Sequence, residues 1–282
     1  MKVNINSELP FSKFLAPAKL NLFLKIINKR VDGYHDLQSV FQLISLYDEI
    51  SIRVRDDDKI NIQNSSPLIS KTNDIADRAC RLILEKKSIG VDVEIKKNIP
   101  VGAGLGGGSS DAATILMAIN RVCQLGLTKD KLMQLGLKLG ADVPFFIFGE
   151  NAWVGGIGDK LHPIYIEEYD YVVAVPNISI LTSSIFASFK LTNNVNPLKI
   201  ASTFDSKKHS FIDNDLESLV IKKFLGVSTL MDWMKNFGYA KMSGTGSSIF
   251  LRPKSTFQSQ EIERLKPKNT EIYAVKGLSV HP

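Results

Sequence analysis

The segment Ile99-Pro-Val-Gly-Ala-Gly-Leu-Gly-Gly-Gly-Ser-Ser-Asp111 constrains this chain more than any other, because five glycines and two serines separate a strand-like run from a helix-like run. Glycine tolerates positive φ and carries no Cβ, so successive backbone N–H groups can close around an anion at the positive end of a helix. The segment reads as a phosphate cradle.

Its flanks carry the geometry such a cradle needs. Val91, Val93 and Ile95 alternate with Asp92, Glu94 and Lys96, the period-2 pattern of a half-buried strand. After the glycines, Ala112, Leu116, Ile119 and Cys123 fall at helical spacing, with Ser109 or Ser110 as N-cap and Asp111 in the first turn. Two better-known loops do not fit. Gly102-x-Gly104-x-x-Gly107 has the bare dinucleotide spacing, but the preceding strand alternates with charges and no acid-ended strand follows about 20 residues on. The Walker A pattern fails because no lysine occupies the loop.

Elsewhere the periodicity predicts α+β with two layers and largely antiparallel pairing. Strand signals run from Leu20 to Ile26, with a start set by Pro17, and then, past a turn at Asp32-Gly33, through Val40–Leu46, Ile50–Val54 and Ile60–Ile62. A helix follows Asn73 as N-cap, and another runs from Thr128 to Gly140. Val143–Phe148 reads as a short buried strand, Tyr171–Val175 and Ile272–Val275 as strands, and Leu216–Phe237 as helical. Two domains are expected, residues 1–160 and 161–282.

With 282 residues, of which 44% are hydrophobic and 23% charged, the chain can bury a full core without staples. Cys80 and Cys123 lie in helical apolar patterns and read as core residues, not a disulfide or a metal pair. A reducing, cytoplasmic setting is expected, since Met1–Pro10 lacks a secretory pattern and no apolar run approaches the about 20 residues of a membrane span. The net charge of +6 suits a polyphosphate ligand, whereas the scattered basic residues form no nucleic-acid stripe.

Lys19, Asp142 and the second glycine turn at Met242–Ile249 are ordinary singly: a strand-start lysine, a turn carboxylate and a connector. Together with the other motifs they carry a resemblance. Pro17-Ala-Lys-Leu-Asn-Leu22, Asp32-Gly-Tyr-His35, Pro100–Ser110, Gly140-Ala-Asp-Val-Pro144, Asn214-Asp-Leu-Glu217 and Ser243-Gly-Thr-Gly246 resemble, in order, the 4-diphosphocytidyl-2-C-methyl-D-erythritol kinase family of the GHMP kinases. The resemblance runs from about residue 14 to the C-terminus.

It implies an N-terminal domain like ribosomal protein S5 domain 2 and a ferredoxin-like C-terminal domain. The reaction it implies is ATP-dependent phosphorylation of the 2-hydroxyl of 4-diphosphocytidyl-2-C-methyl-D-erythritol, in the non-mevalonate route to isoprenoids. Pro100, Val101, Gly102, Ala103, Gly104, Leu105, Gly106, Gly107, Gly108, Ser109 and Ser110 would hold the ATP phosphates, with Asn73 and Lys97 near the nucleotide. Mg²⁺ would ride on the phosphates near Ser109 or Ser110, with no dedicated protein metal site. Asp142 would take the hydroxyl proton and Lys19 would offset charge on the transferred oxygens. Tyr34 and Phe186 would stack the cytosine, His35 would bond its edge, and Asn21, Ile157 and Thr182 would complete the substrate side.

Two rival readings lead elsewhere. A GHMP kinase acting on a small acid or sugar would have no base for the Tyr34-His35 pair to meet. A nonenzymatic RNA-binding protein would have no need of an internal base such as Asp142.

Overall fold

A computed structural model describes residues 10–67, 74–191 and 213–282. Its ten strands form one sheet organised around β2 (His35–Arg55), a 21-residue strand. Along one edge of β2 runs β1 (Ser12–Lys29), antiparallel from Ser12↔Ile52 to Lys29↔His35. The other edge is shared in succession by β5 (Ala152–Gly155), β10 (Thr270–Leu278) and β4 (Gly90–Lys96). Beyond β4 lies β3 (Ile60–Asn64), a parallel neighbour, and beyond β5 lies β6 (Lys160–Pro163). β10 also pairs β7 (Asp170–Pro176), which continues to β9 (Ile249–Leu251) and β8 (Lys241–Met242), so the last strand welds the two halves of the chain.

The helices are α1 (Ile75–Ile83), α2 (Gly107–Val122), α3 (Lys129–Leu139), α4 (Val143–Phe148), α5 (Thr182–Ser188), α6 (Glu217–Lys223), α7 (Leu225–Lys235) and α8 (Thr256–Leu265). One core lies between the sheet and α1–α4, and extends to α6 and α7. A second, around Leu20, Val40, Ile44, Trp153, Tyr171 and Phe250, covers the opposite face. Burial on both faces is why β1 is apolar almost throughout its middle. Cys80 and Cys123 are free thiols, and among the described residues no helix is long and apolar enough to cross a membrane.

Several local expectations change. β1 begins at Ser12, so Pro17 lies inside the strand; the register shifts between Pro17 and Ala18, the irregularity at which a strand accommodates a missing N–H. Val40–Leu46 and Ile50–Val54 are one strand. The cap of α1 is Asp74, whose carboxylate accepts the Ala76 N–H at 2.9 Å, while Asn73 lies outside the described residues. Helix α2 starts at Gly107 with Gly106 as N-cap, which moves Ser109, Ser110 and Asp111 into the helix proper.

Val143–Phe148 is a helix, not a strand. Six consecutive apolar residues carry no period that separates the two. The ends decide: Asp142 at the N-cap, Pro144 in the first turn, and Gly149 with φ +75 donating its N–H to Phe145 O at 3.0 Å. Thr128 and Gly140 bound α3 as expected.

Candidate active site

Two register shifts in β1 aim the central residues. Between the irregularities at Pro17/Ala18 and Asn21/Phe23, the pleat sends Ala18, Leu20 and Leu22 into the second core. Lys19 and Asn21 therefore face the other way, into a cleft of about 440 Å³ that the phosphate loop, Ala141, Asp142, Ile157, Thr182, Phe186, Gly244 and Thr245 also line. Sequences 123 residues apart meet there: Lys19 Nζ lies 3.3 Å from Asp142 Oδ2. The lysine is buried, donates to Asn21 Oδ1, and sits 4.3 Å from the centroid of Phe41. Asn21 Nδ2 in turn donates to Ser39 Oγ at 3.1 Å. The Asp142 side chain stands at the start of α4, one-third exposed.

The loop is held from outside. Four consecutive carbonyl oxygens accept hydrogen bonds from three separate stretches: Gly102 from Ile180 N–H at 3.1 Å, Ala103 from Ser248 N–H at 3.0 Å and Gly104 from Ser243 Oγ at 3.1 Å, both in the second glycine turn, and Leu105 from Lys19 N–H at 3.0 Å. With the carbonyls engaged, the amides are the groups left for an anion at the N-terminus of α2. Gly104, at φ +77, also admits a close neighbour: a Cβ there would lie 2.4 Å from Ser243 O. The second glycine turn is thus the buttress of the first. Read from the sequence that turn is a connector, since nothing local says what it packs against.

The structure does not gather every expected residue equally. Pro100 to Ser109 line the cleft, whereas Ser110 is buried beneath it, its Oγ without a partner among the described residues. Lys97 touches the cleft, but its ammonium turns under the loop to Asp48 and to Asp111, 2.6 Å away. Nothing in the sequence marked Asp48 and Asp111 as partners of Lys97. A second cleft continues from Lys97–Val101 to Ser65–Pro67, Pro176–Ser179 and Asn269–Glu271. On the substrate side, Phe186 lines the first cleft and stacks, tilted, on His35 at 5.5 Å between centroids. His35 is buried behind it, with Nε2 unpartnered among the described residues; burial, reinforced by Lys29, pulls its pKa below the ordinary value. Thr182 Oγ1 meets Thr245 Oγ1 at 3.1 Å. Tyr34 stands apart at 58% exposure, outside the cleft lining.

The arrangement pairs an anion-binding loop with a lysine–carboxylate pair in one cleft, the equipment for moving a phosphoryl group onto a hydroxyl. Comparison with known proteins agrees. Residues 74–150 match the GHMP kinases N terminal domain, and residues 203–265 match the GHMP kinases C terminal domain. The chain is 42% identical over 272 residues to 4-diphosphocytidyl-2-C-methyl-D-erythritol kinase of Herminiimonas arsenicoxydans, covering 95% of each chain. A crystal structure of 4-(cytidine 5'-diphospho)-2C-methyl-D-erythritol kinase superimposes with a TM-score of 0.81 at 28% identity, covering 94% of this chain and 99% of the other. The Methanococcus jannaschii mevalonate kinase, at 14% identity and a TM-score of 0.67 over 96% of this chain and 100% of its own, shares the fold. The chain belongs to the GHMP kinases and, within them, to the 4-diphosphocytidyl-2-C-methyl-D-erythritol kinase family.

Proposed function

We propose that this protein transfers the γ-phosphoryl group of ATP to the 2-hydroxyl of 4-diphosphocytidyl-2-C-methyl-D-erythritol. The observation that carries the reading is Lys19–Asp142 at 3.3 Å in the same cleft as the glycine loop. Val101 to Ser109 hold the phosphates through backbone N–H groups, with Pro100 and Ser110 bounding the loop, and the second cleft, which shares Lys97, Ile99, Pro100 and Val101 with the first, takes the rest of the nucleotide. Asp142 accepts the hydroxyl proton as the new bond from that oxygen to phosphorus forms and the bond to the ADP oxygen breaks. Lys19, fixed by Asn21 and Asp142, offsets the charge on the transferred oxygens.

Mg²⁺ fits this site as an ion carried on the phosphates, where it neutralises charge, with Ser109 or Ser110 as the nearby protein oxygen. Magnesium is commonly held by few protein ligands, and among the described residues no three His, Cys, Asp or Glu side chains gather. Of the two, Ser109 lines the cleft. The cytosine belongs against Phe186, where an edge group would satisfy the buried His35 Nε2. Asn21, Ile157 and Thr182 border the space between base and hydroxyl. Division near residue 160 and a cytoplasmic location, in keeping with ATP and two free thiols, belong to the same reading.

The test is ADP release with the cytidine-linked compound and with plain methylerythritol 4-phosphate. The parent should use the first far better, because remote binding energy holds the hydroxyl in line. Phe186→Ala should remove about 1–3 kcal/mol of that preference, the worth of one stacking contact, and the exposed Tyr34→Ala less. Equal use of both compounds by the parent rejects the cytidine reading.

A further inference from the structure

Beneath the phosphate loop lies a cluster that the lysine–aspartate pair of the cleft does not use. The Lys97 side chain is 6% exposed, Asp48 0% and Asp111 3%, and the ammonium contacts both carboxylates. The three come from different elements. Asp48 belongs to β2, Lys97 follows β4 on the way into the loop, and Asp111 lies in α2, on the way out. Asp48 Oδ1 accepts the N–H groups of Asn98 at 2.6 Å and Ile99 at 2.8 Å, which fixes the backbone immediately before the loop. Lys97 bridges from there to Asp111 at 2.6 Å and so ties the loop's two ends together.

The charges are unequal in their support. Asp48 has the ammonium and two backbone N–H donors; Asp111 has the ammonium, and its Oδ1 is unpartnered among the described residues. The one ammonium sits between the two carboxylates in a site closed to solvent, so removing any of the three leaves a buried charge without its partner. Burial opposes the Lys97 charge, but Asp111 and Asp48 together hold its ammonium above the ordinary value.

We propose that Asp48, Lys97 and Asp111 are positioning residues for the phosphate loop, with Asp48 fixing the backbone before the loop and Lys97 tying it to Asp111 in α2. This rests on the reading of residues 100–110 as the ATP loop. None of the three takes part in the chemistry; they act through the loop's shape, and neither Asp48 nor Asp111 lines either cleft.

The test is steady-state kinetics on Asp48→Asn and Asp111→Asn, with ATP affinity by calorimetry and melting temperature alongside. Asp111→Asn weakens one contact of Lys97 and touches no backbone N–H before the loop, so the KM for ATP should rise by only about threefold. Asp48→Asn removes one counter-charge of Lys97, and the KM for ATP should rise about tenfold or more while kcat stays within about threefold and the KM for the alcohol substrate within about twofold. If Asp48→Asn does not fold, Asp48→Glu keeps the charge but misplaces the carboxylate, and the same rise in ATP KM is expected. Equal effects of the two asparagine variants, or an unchanged ATP KM in Asp48→Asn, overturn the proposal. So does a parallel loss of kcat and both KM values with melting temperature, which marks a general folding defect. A parent enzyme without ATP-dependent turnover refutes the functional reading before any variant is compared; an active parent whose variants break this pattern refutes only the cluster.

Discussion

Replacing Gly104 by alanine adds one methyl group at the place where the two glycine turns touch. The residue has φ +77, and the new Cβ would lie 2.4 Å from Ser243 O and 2.9 Å from Gly246 O, backbone atoms on both counts. No flexible side chain can swing aside. The left-handed conformation costs about 1–2 kcal/mol for an L-residue, and forcing a methyl into packed surroundings adds about 1–3 kcal/mol. The sum, about 2–5 kcal/mol, corresponds to a fall in melting temperature of about 4–20 °C at the roughly 2–4 °C per kcal/mol of domains somewhat smaller than this chain. Gly126→Ala separates the two contributions, because Gly126 has φ +67 and a Cβ added there would meet nothing within 4 Å. That variant bears only the backbone cost, about 1–2 kcal/mol. Any relief of the Gly104 clash requires the loop to move off Ser243, breaking the 3.1 Å bond from its hydroxyl, and the KM for ATP should rise about tenfold or more. Calorimetric melting and ATP titration read both effects. Equal melting temperatures for the two variants, with ATP affinity unchanged in Gly104→Ala, would refute the buttress.

Asp142→Asn should fold and bind ATP like the parent but lose about 10²-fold or more in turnover, since an amide cannot accept the hydroxyl proton; turnover within a fewfold removes Asp142 as the base. Acid should act in part through His281, which donates its backbone N–H to Gly149 O at 2.8 Å and places Nε2 3.5 Å from Thr114 Oγ1, while burial pulls its pKa below the ordinary value. The unfolded chain therefore takes up this proton first as pH falls through about 6.5, and the folded state loses stability in that range. His281→Gln should flatten the fall in melting temperature between pH 8 and pH 5, though not abolish it, because His35 shifts in the same direction; identical slopes in parent and variant count against the assignment.

The features legible in the sequence are those whose physics is local. The glycine loop, the Thr128 cap, the stop at Gly140 and the alternation of Val91, Val93 and Ile95 each depend on a few neighbouring residues, and each stands where expected. Local rules failed where neighbours compete or carry no period. Asp74 displaced Asn73 as the cap of α1, Gly106 displaced the two serines at the start of α2, and the unbroken apolar run Val143–Phe148 became a helix through its ends. Motif resemblance supplied Lys19 and Asp142 singly; their 3.3 Å separation comes from two register shifts in β1 and the docking of α4 against α2 and α3. Lys97 shows the same boundary most clearly. Its place beside the loop follows from its position in the chain, but the direction of its ammonium was decided by Asp48 and Asp111, 49 and 14 residues away. Backbone propensity acts over a turn or two of chain, whereas burial and charge pairing act between whatever the fold brings together, and only the tertiary structure determines those partners.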